Sequence, residues 1–456
     1  MAPNLEGIPQ EIIEQICLEL RTADHPSLLS LSGVSRRLRN IAITAIFEKV
    51  QFAGTQDGRI RGRPARQDNR PGLLRILMEN PDIASRVKEI ANTTRGHLVL
   101  SDEEFQTVAR AARRLGVPVP RDLHEFLLDP RNHPGRGTGC HDVDEGLVQN
   151  FMTDIIVAHT PNLRRLKYRV SPCDPREPFK TLSRVTKAPG RAPLLSKLVD
   201  CQLHSGGVAN LAQPLADAAP NLDSLWLVNP RGLGAPLQLH GVRVLTLTGA
   251  NFTATEIGEL LGGFPGLKKF RYESARRFRS SIERRDLCSP QDVADALGPA
   301  VKRRLLELTL RFGAWQQQQP RYPGPGLGPG PGPSTPRLLT SAREFEALEH
   351  LDLDGGCVWD ERGDYSKHDP GTADLLAKLP PGRLRKLTLL DLSRGPFNED
   401  LGVFAGRSEQ VCPDLKVIRY GLAYWGKVDV KWMEDITTKS QKHGVTIEDT
   451  TATSDG

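Results

Sequence analysis

The sequence predicts an α/β protein in two parts: a short three-helix segment at the N-terminus, then an irregular solenoid of strand–helix repeats. Two observations carry this. In "GIPQEIIEQICLEL" (residues 7–20), Ile12, Ile16 and Leu20 recur every four residues, and Ile13 and Cys17 widen the stripe into a helix face. From residue 163 onward a six-residue unit, apolar-x-x-apolar-x-apolar, recurs nine times.

The first helix is expected over about residues 9 to 20. Pro9 has no donor to lose in the first turn, and Glu11 suits the helix dipole. "RTADHPS" breaks it, with Asp24 or His25 as a cap and Pro26 opening a second helix through Leu28, Leu29 and Leu31. A third begins near Ser35, with Leu38, Ile41, Ala42, Ala45 and Ile46 inward and Arg36, Arg37, Arg39 and Lys49 outward. Three short helices make a core of a size that seldom holds itself together alone. Part of the stripe is therefore expected to be left for a partner.

The combined landmarks Ile8-Pro9, Glu11-Ile12, Ile16, Leu20, Leu28, Leu31, Val34-Ser35-Arg36, Leu38, Ile41, Ile46-Phe47 and Val50 resemble the F-box over residues 5–52. Ile8 stands where leucine is usual, and His25-Pro26 where Asp-Leu is more common. The resemblance implies docking of a Skp adaptor, and through it a cullin. The adaptor-facing residues it implies are Ile8, Pro9, Ile12, Ile16, Leu28, Leu31, Val34, Leu38 and Ile41.

The nine units begin at Leu163, Leu198, Leu222, Val242, Leu267, Leu305, Leu348, Leu384 and Leu415, spaced 35, 24, 20, 25, 38, 43, 36 and 31 residues apart. A fainter copy, Val87–Asn92, precedes them. The fourth and sixth residues of a unit share one side of a short strand and face a common core, and the following helix or loop returns the chain. Helical stretches such as "EGLVQNFMTDIIVAHT" and "TATEIGELLGGF" supply that alternation. The pattern resembles an irregular leucine-rich-repeat solenoid, or horseshoe, and with the N-terminal segment it is similar to the fungal type of F-box protein. The expected organisation is an F-box over 5–52, an exposed basic linker over 53–72 and a repeat domain over 73–448. Within the last, 316–336 reads as a Pro/Gly-rich disordered loop, and 449–456 as a disordered tail.

What the resemblance implies is a substrate-recognition subunit of a Skp–cullin–F-box ubiquitin ligase, non-catalytic in itself. The alternative is an F-box scaffold or interaction module acting outside ubiquitination. The third, fifth and seventh positions of each unit are expected to point outward, giving Arg165, Lys167 and Arg169, Trp226, Lys269 and Arg271, and Asp352 with Asp354. Trp226, a large aromatic where solvent is expected, and the charged residues Arg165, Lys167, Lys269, Arg271 and Asp352 are the candidate contacts for a protein substrate.

Other chemistry finds little footing. No P-loop, HExxH, Ser/His/Asp order or paired-carboxylate motif occurs, and His141-Asp142 with Asp144-Glu145 reads as a turn entering a helix. Seven cysteines are scattered with no CxxC spacing, and Cys201 with His204 lacks a second pair, so neither metal nor cofactor is expected. A net charge of +6 over 456 residues is too small to argue for nucleic acid. The five arginines between residues 51 and 72 read as a solvated linker, with nucleic acid or an acidic partner as the alternative. With no signal segment and no run of 18 apolar residues, the expected setting is intracellular, cytoplasmic or nuclear, with Asn92 and Asn251 unglycosylated.

Overall fold

The protein is described here from a computed structural model covering residues 7–52, 69–92, 100–119, 141–169, 179–186, 193–204, 209–230, 237–275, 287–312, 337–358, 383–392, 397–422 and 430–449. Of the expected linker over 53–72, residues 53–68 lie outside the described residues, while Arg70 to Gly72 begin a helix with Arg70 buried. The Pro/Gly-rich loop over 316–336 and residues 450–456 of the expected tail over 449–456 also lie outside them, Asp449 ending a strand. The chain divides into two compact units between Leu225 and Trp226, inside the region expected as a single repeat domain.

The first unit opens with three helices, α1 (Gln10–Ala23), α2 (His25–Val34) and α3 (Arg36–Glu48). Pro9 caps α1 from outside the helix, its carbonyl accepting from the amides of Ile12 and Ile13 at 3.2 Å each. Asp24, not His25, caps α2, accepting from the Ser27 amide at 3.3 Å; Ser35 caps α3, accepting from the Leu38 amide at 3.3 Å. Where the sequence extends the third helix through Lys49 and Val50, the chain instead turns into a strand, β1 (Lys49–Phe52). Then follow α4 (Arg70–Glu79), α5 (Pro81–Arg86), β2 (Glu89–Asn92), α6 (Asp102–Arg114), α7 (His141–Ala158), β3 (Arg165–Arg169), α8 (Lys180–Thr186), β4 (Asp200–His204), α9 (Ala209–Ala218) and β5 (Ser224–Val228), in which the division falls.

The second unit contains β6 (Val244–Ala250), α10 (Ala254–Gly262), β7 (Lys269–Ser274), α11 (Pro290–Ala296), α12 (Pro299–Lys302), β8 (Glu307–Arg311) and β9 (His350–Asp354). After these come α13 (Gly355–Val358), β10 (Lys386–Leu392), α14 (Phe397–Ala405), α15 (Ser408–Val411), β11 (Val417–Leu422), α16 (Val430–Gln441) and β12 (Thr446–Asp449). In each unit the strands lie side by side in chain order. Within these ladders the paired strands run parallel, as expected when helices or loops bring the chain back between strands.

All nine sequence units form strands, β3 to β11, and their first, fourth and sixth residues are buried in every case. Register is held between equivalent residues. In the first unit Val50 pairs with Ile90, Ile90 with Leu166 and Leu166 with Cys201; in the second, Leu245, Phe270, Leu308, Leu351, Leu387, Ile418 and Ile447 form one row. The backbone carbonyl of the second residue repeatedly accepts two amides of the next strand. Arg164, Arg243, Lys268, Leu306, Glu349 and Arg385 all do so, at 2.7 to 3.2 Å. Each unit is thus a translated copy of its neighbour, and every leucine in the row loses its water to the same extent, about 1.5–3 kcal/mol per side chain.

The flanking helices are specified locally. Thr253 and Glu256 form a reciprocal capping box at the start of α10, as do Ser101 and Glu104 at α6 and Ser289 and Asp292 at α11. Gly249 (φ +65°) makes the bulge in β6, where a side chain would run into Asn229.

Two strands lie beyond the nine units. β1 matches the unit in sequence as Phe47-Glu-Lys-Val-Gln-Phe52, while β12 keeps only Ile447 in the core row. The faint copy at Val87–Asn92 is a full strand with all of Glu89–Asn92 buried. His141 to Glu145, read as a turn, form the first turns of α7.

Candidate functional site

Two surfaces are built by these elements, one on the helices and one on the sheet. In the three-helix bundle, Ile13 and Cys17 of α1 meet Leu28 of α2 and Leu38, Ile41, Ala42 and Ala45 of α3 in a closed core, with Ile8, Leu20, Leu31 and Ile46 packed partly against it. The helices are tied at their ends: Arg37 Nη2 donates to the Ile8 carbonyl at 2.7 Å, and Arg21 Nη1 donates to Glu48 Oε2 at 3.1 Å. Burial would push the Glu48 carboxyl up, but Lys88 at 2.7 Å and Arg21 hold it below its ordinary value.

This core sorts the nine adaptor-facing candidates. Leu28, Leu38 and Ile41 are interior residues of the bundle and present nothing to a partner, a correction to their assignment. Their side chains are consumed by Ile13 and Cys17, which lie one position along from the exposed pair on α1. Pro9 is exposed, and Ile8 and Leu31 are half-buried against the core. Left open to solvent are Ile12 (53%), Ile16 (40%) and Val34 (62%), joined by Leu29 (50%), a residue outside the adaptor-facing set that the resemblance implies. Four large aliphatic side chains on two successive helices are thus exposed on a bundle of only three.

The sheet surface carries the outward positions. Trp226 is 39% exposed, with its indole Nε1 donating to Thr248 Oγ1 at 2.8 Å. Around it the second unit is a lattice of matched charges. Lys269 Nζ meets Glu307 Oε1 at 2.6 Å, Arg271 grips Glu273 two residues along, and Arg311 Nη2 meets Asp352 Oδ2 at 2.9 Å. Glu307 is also 3.5 Å from His350, and Arg419 pairs with Glu448. Asp354, expected to point outward beside Asp352, is buried instead, where its Oδ1 accepts from the Cys357 thiol at 3.1 Å. Burial comes first in removing water from Arg311, yet Asp352, Glu273 and Asp354 keep its guanidinium charged more firmly than usual.

In the first unit, Arg165 is exposed and lies 3.6 Å from Glu89, a carboxylate it shares with Lys49 at 3.0 Å. Lys167 is half-buried between Ala91 and Gln202 in register, and Arg169 pairs with His204. Gln202 Nε2 is 2.9 Å from His204 Nε2. Burial, then Arg169 and Lys167, hold the His204 ring below its ordinary value. Cys201 lies three residues before His204 on a strand, so the two side chains take opposite faces. The thiol is in the core, and burial pushes it well up.

One buried polar group was not anticipated. On α7, Asn150, Thr153 and Asp154 face inward: Tyr168 donates its hydroxyl to Asn150 Oδ1 at 2.9 Å, and Asn92 Nδ2 donates to Thr153 Oγ1 at 2.8 Å. Burial drives the Asp154 carboxyl well above the ordinary range, opposed by the amides of Phe179 and Thr181, which donate to it. The signal was there as polar residues at i, i+3 and i+4 of an otherwise apolar helix.

Cys17, Cys201, Cys288, Cys357 and Cys412 are buried, and among the described residues they form no disulfide. Among the described residues no group of three His, Cys, Asp or Glu side chains is placed to hold a metal, and no helix is long and apolar enough to cross a membrane. No protein-family model matches the chain, and no curated protein sequence matches it.

Proposed function

We propose that the chain is the substrate-recognition subunit of a Skp–cullin–F-box ubiquitin ligase, an F-box followed by an irregular leucine-rich-repeat solenoid. The observation that carries the reading is the exposed aliphatic set Ile12, Ile16, Leu29 and Val34, gathered on α1 and α2, whereas Val199, Leu287 and Val403 are exposed singly elsewhere. In this reading that set, with Ile8 and Pro9, docks the Skp adaptor, and the adaptor links the chain to a cullin. The sheet surface around Arg165, Lys167, Trp226, Lys269, Arg271 and Asp352 holds a protein substrate. The chain does no chemistry; it raises the local concentration of a target's lysine beside a charged conjugating enzyme. Such a subunit works inside the cell, in the cytoplasm or nucleus.

The test is co-purification of the full chain against an Ile12→Glu/Ile16→Glu variant with matched thermal unfolding. Capture of a Skp adaptor and cullin by the wild type, lost in the variant, is the expected result. Equal capture by both, or no adaptor with either, overturns it. The second reading, a scaffold that binds the adaptor but delivers nothing for ubiquitination, rests on the same exposed set. It is favoured if the adaptor is captured but no protein accumulates when residues 5–52 are deleted.

A further inference from the structure

The helices of the second unit carry an open cleft that neither proposed surface uses. It lies between α14 and α16, which approach so closely that a Cβ on Gly402 would stand 3.9 Å from Ile436 Cγ1. The cleft has a volume of about 380 Å³. Gly402, Val403 and Arg407 line it from α14 and the turn after it, and Lys439, Lys442 and His443 from α16 and its C-terminal end. Val403 is 57% exposed, which alone would be ordinary for a surface valine. What sets it apart is the charge beside it. No described residue of the lining is a carboxylate. Asp435 reaches in to Lys439 at 2.6 Å and Glu409 to His443 at 3.0 Å, both exposed pairs of the kind that hold weakly. Among the described residues the Arg407 guanidinium and the Lys442 ammonium have no hydrogen-bond or ion-pair partner. Cations just past a helix C-terminus ordinarily serve its last carbonyls; these two do not turn back to them.

We propose that this cleft binds an acidic peptide segment of a partner protein. An aliphatic side chain of the peptide rests on Val403, and its neighbouring carboxylates meet Arg407 and Lys442. Charge complementarity selects the occupant: the guanidinium takes a carboxylate through two parallel hydrogen bonds, and the ammonium takes one as a point charge. Because the cleft is open, it suits a chain laid across it better than a small molecule, which needs most of its surface enclosed. None of the described lining residues is aromatic, which leaves a nucleic-acid base without a stacking partner. The inference goes beyond the adaptor and substrate surfaces proposed above and is tested without either. Its failure leaves those readings standing, and theirs leaves it standing.

The experiment is fluorescence-anisotropy titration of the full chain against a short labelled peptide with a leucine between glutamates. Comparison peptides carry glutamine for glutamate, or serine for leucine. Saturable binding is expected that weakens with added salt and falls about tenfold in Arg407→Gln/Lys442→Gln. It should be unchanged in Lys197→Gln, which removes an exposed charge from the first unit. The glutamine peptide should not bind, and Val403→Ser or the serine peptide should weaken binding. Absence of saturable binding of the glutamate peptide overturns the proposal, as does equal affinity for either comparison peptide. Equal affinity in the double variant, with thermal unfolding matching the wild type, also overturns it; if that variant does not fold, Lys442→Gln is titrated in its place. Binding to phosphatidylserine–phosphatidylcholine vesicles without the peptide overturns it in favour of a lipid surface. Self-association of the chain alone, lost in the double variant, overturns it in favour of a second copy.

Discussion

The helical bundle and the strand ladder solve the same problem, hiding aliphatic side chains, to different degrees. In the ladder, each apolar residue of a unit stands against its equivalent on the next strand, and Leu308 between Phe270 and Leu351 has no exposure left to lose. The bundle has no neighbour of its own kind. Ile13, Cys17, Leu28 and Leu38 fill its centre, and Ile12, Ile16, Leu29 and Val34 remain outside. Repetition lets burial be completed by adding copies, whereas a three-helix unit of about 45 residues runs out of interior.

That contrast can be broken most directly in the ladder. Leu308→Ala should lower global stability by about 3–4 kcal/mol in urea unfolding, because strands on both sides prevent collapse of the hole. Leu38→Ala in the bundle should lower stability by only about 2–3 kcal/mol, and hydrogen exchange should report opening of residues 10–48 ahead of the strands. Equal losses with equal global unfolding would erase the distinction.

A pH experiment isolates the buried polar face of α7. Burial raises the folded-state pKa of Asp154 above its ordinary value of 3.8, so the folded chain binds this proton more tightly than the unfolded one. Stability from this residue is therefore present at low pH and lost as pH rises above about 3.8. Asp154→Asn removes that slope. The variant should gain on the wild type as pH rises from 3 toward neutrality, and a gap that stays constant or shrinks would refute the assignment.

The smallest stability effect belongs to the exposed set. Ile12→Ala/Ile16→Ala should change unfolding free energy by about 0.5 kcal/mol or less, since these side chains leave little interior behind. A loss as large as that of Leu38→Ala would mean the pair is structural after all.

Much of the ladder was legible because a strand with period two and a fixed six-residue unit leaves a dense signature. Every apolar landmark from Leu163 to Tyr420 falls in the core. β1 was missed although Phe47–Phe52 obeys the same rule, because its residues also fit the end of an aliphatic helix. β12 was missed because Gly444 and Asp449 occupy two of the three apolar positions. On α1 the choice between Ile12/Ile16 and Ile13/Cys17 turns on about 100° of rotation. A stripe that contains both pairs does not say which faces inward until α2 and α3 are placed. Asp354 was read as outward from its alternation with Asp352; the chain turns into α13 immediately after it, and the residue goes inside to meet Cys357.

The constant register has a further consequence for how such a chain tolerates growth. Six-residue repeats whose strands pair in register begin as few as 25 and as many as 43 residues apart, yet their equivalent residues stand opposite one another. The ends of each connector need only return to one strand spacing. The entropy of closing a flexible loop rises with the logarithm of its length, about 0.6 kcal/mol for each doubling. Residues can therefore be added between strands at small thermodynamic expense, and the connectors are free to diversify while the ladder stays in step.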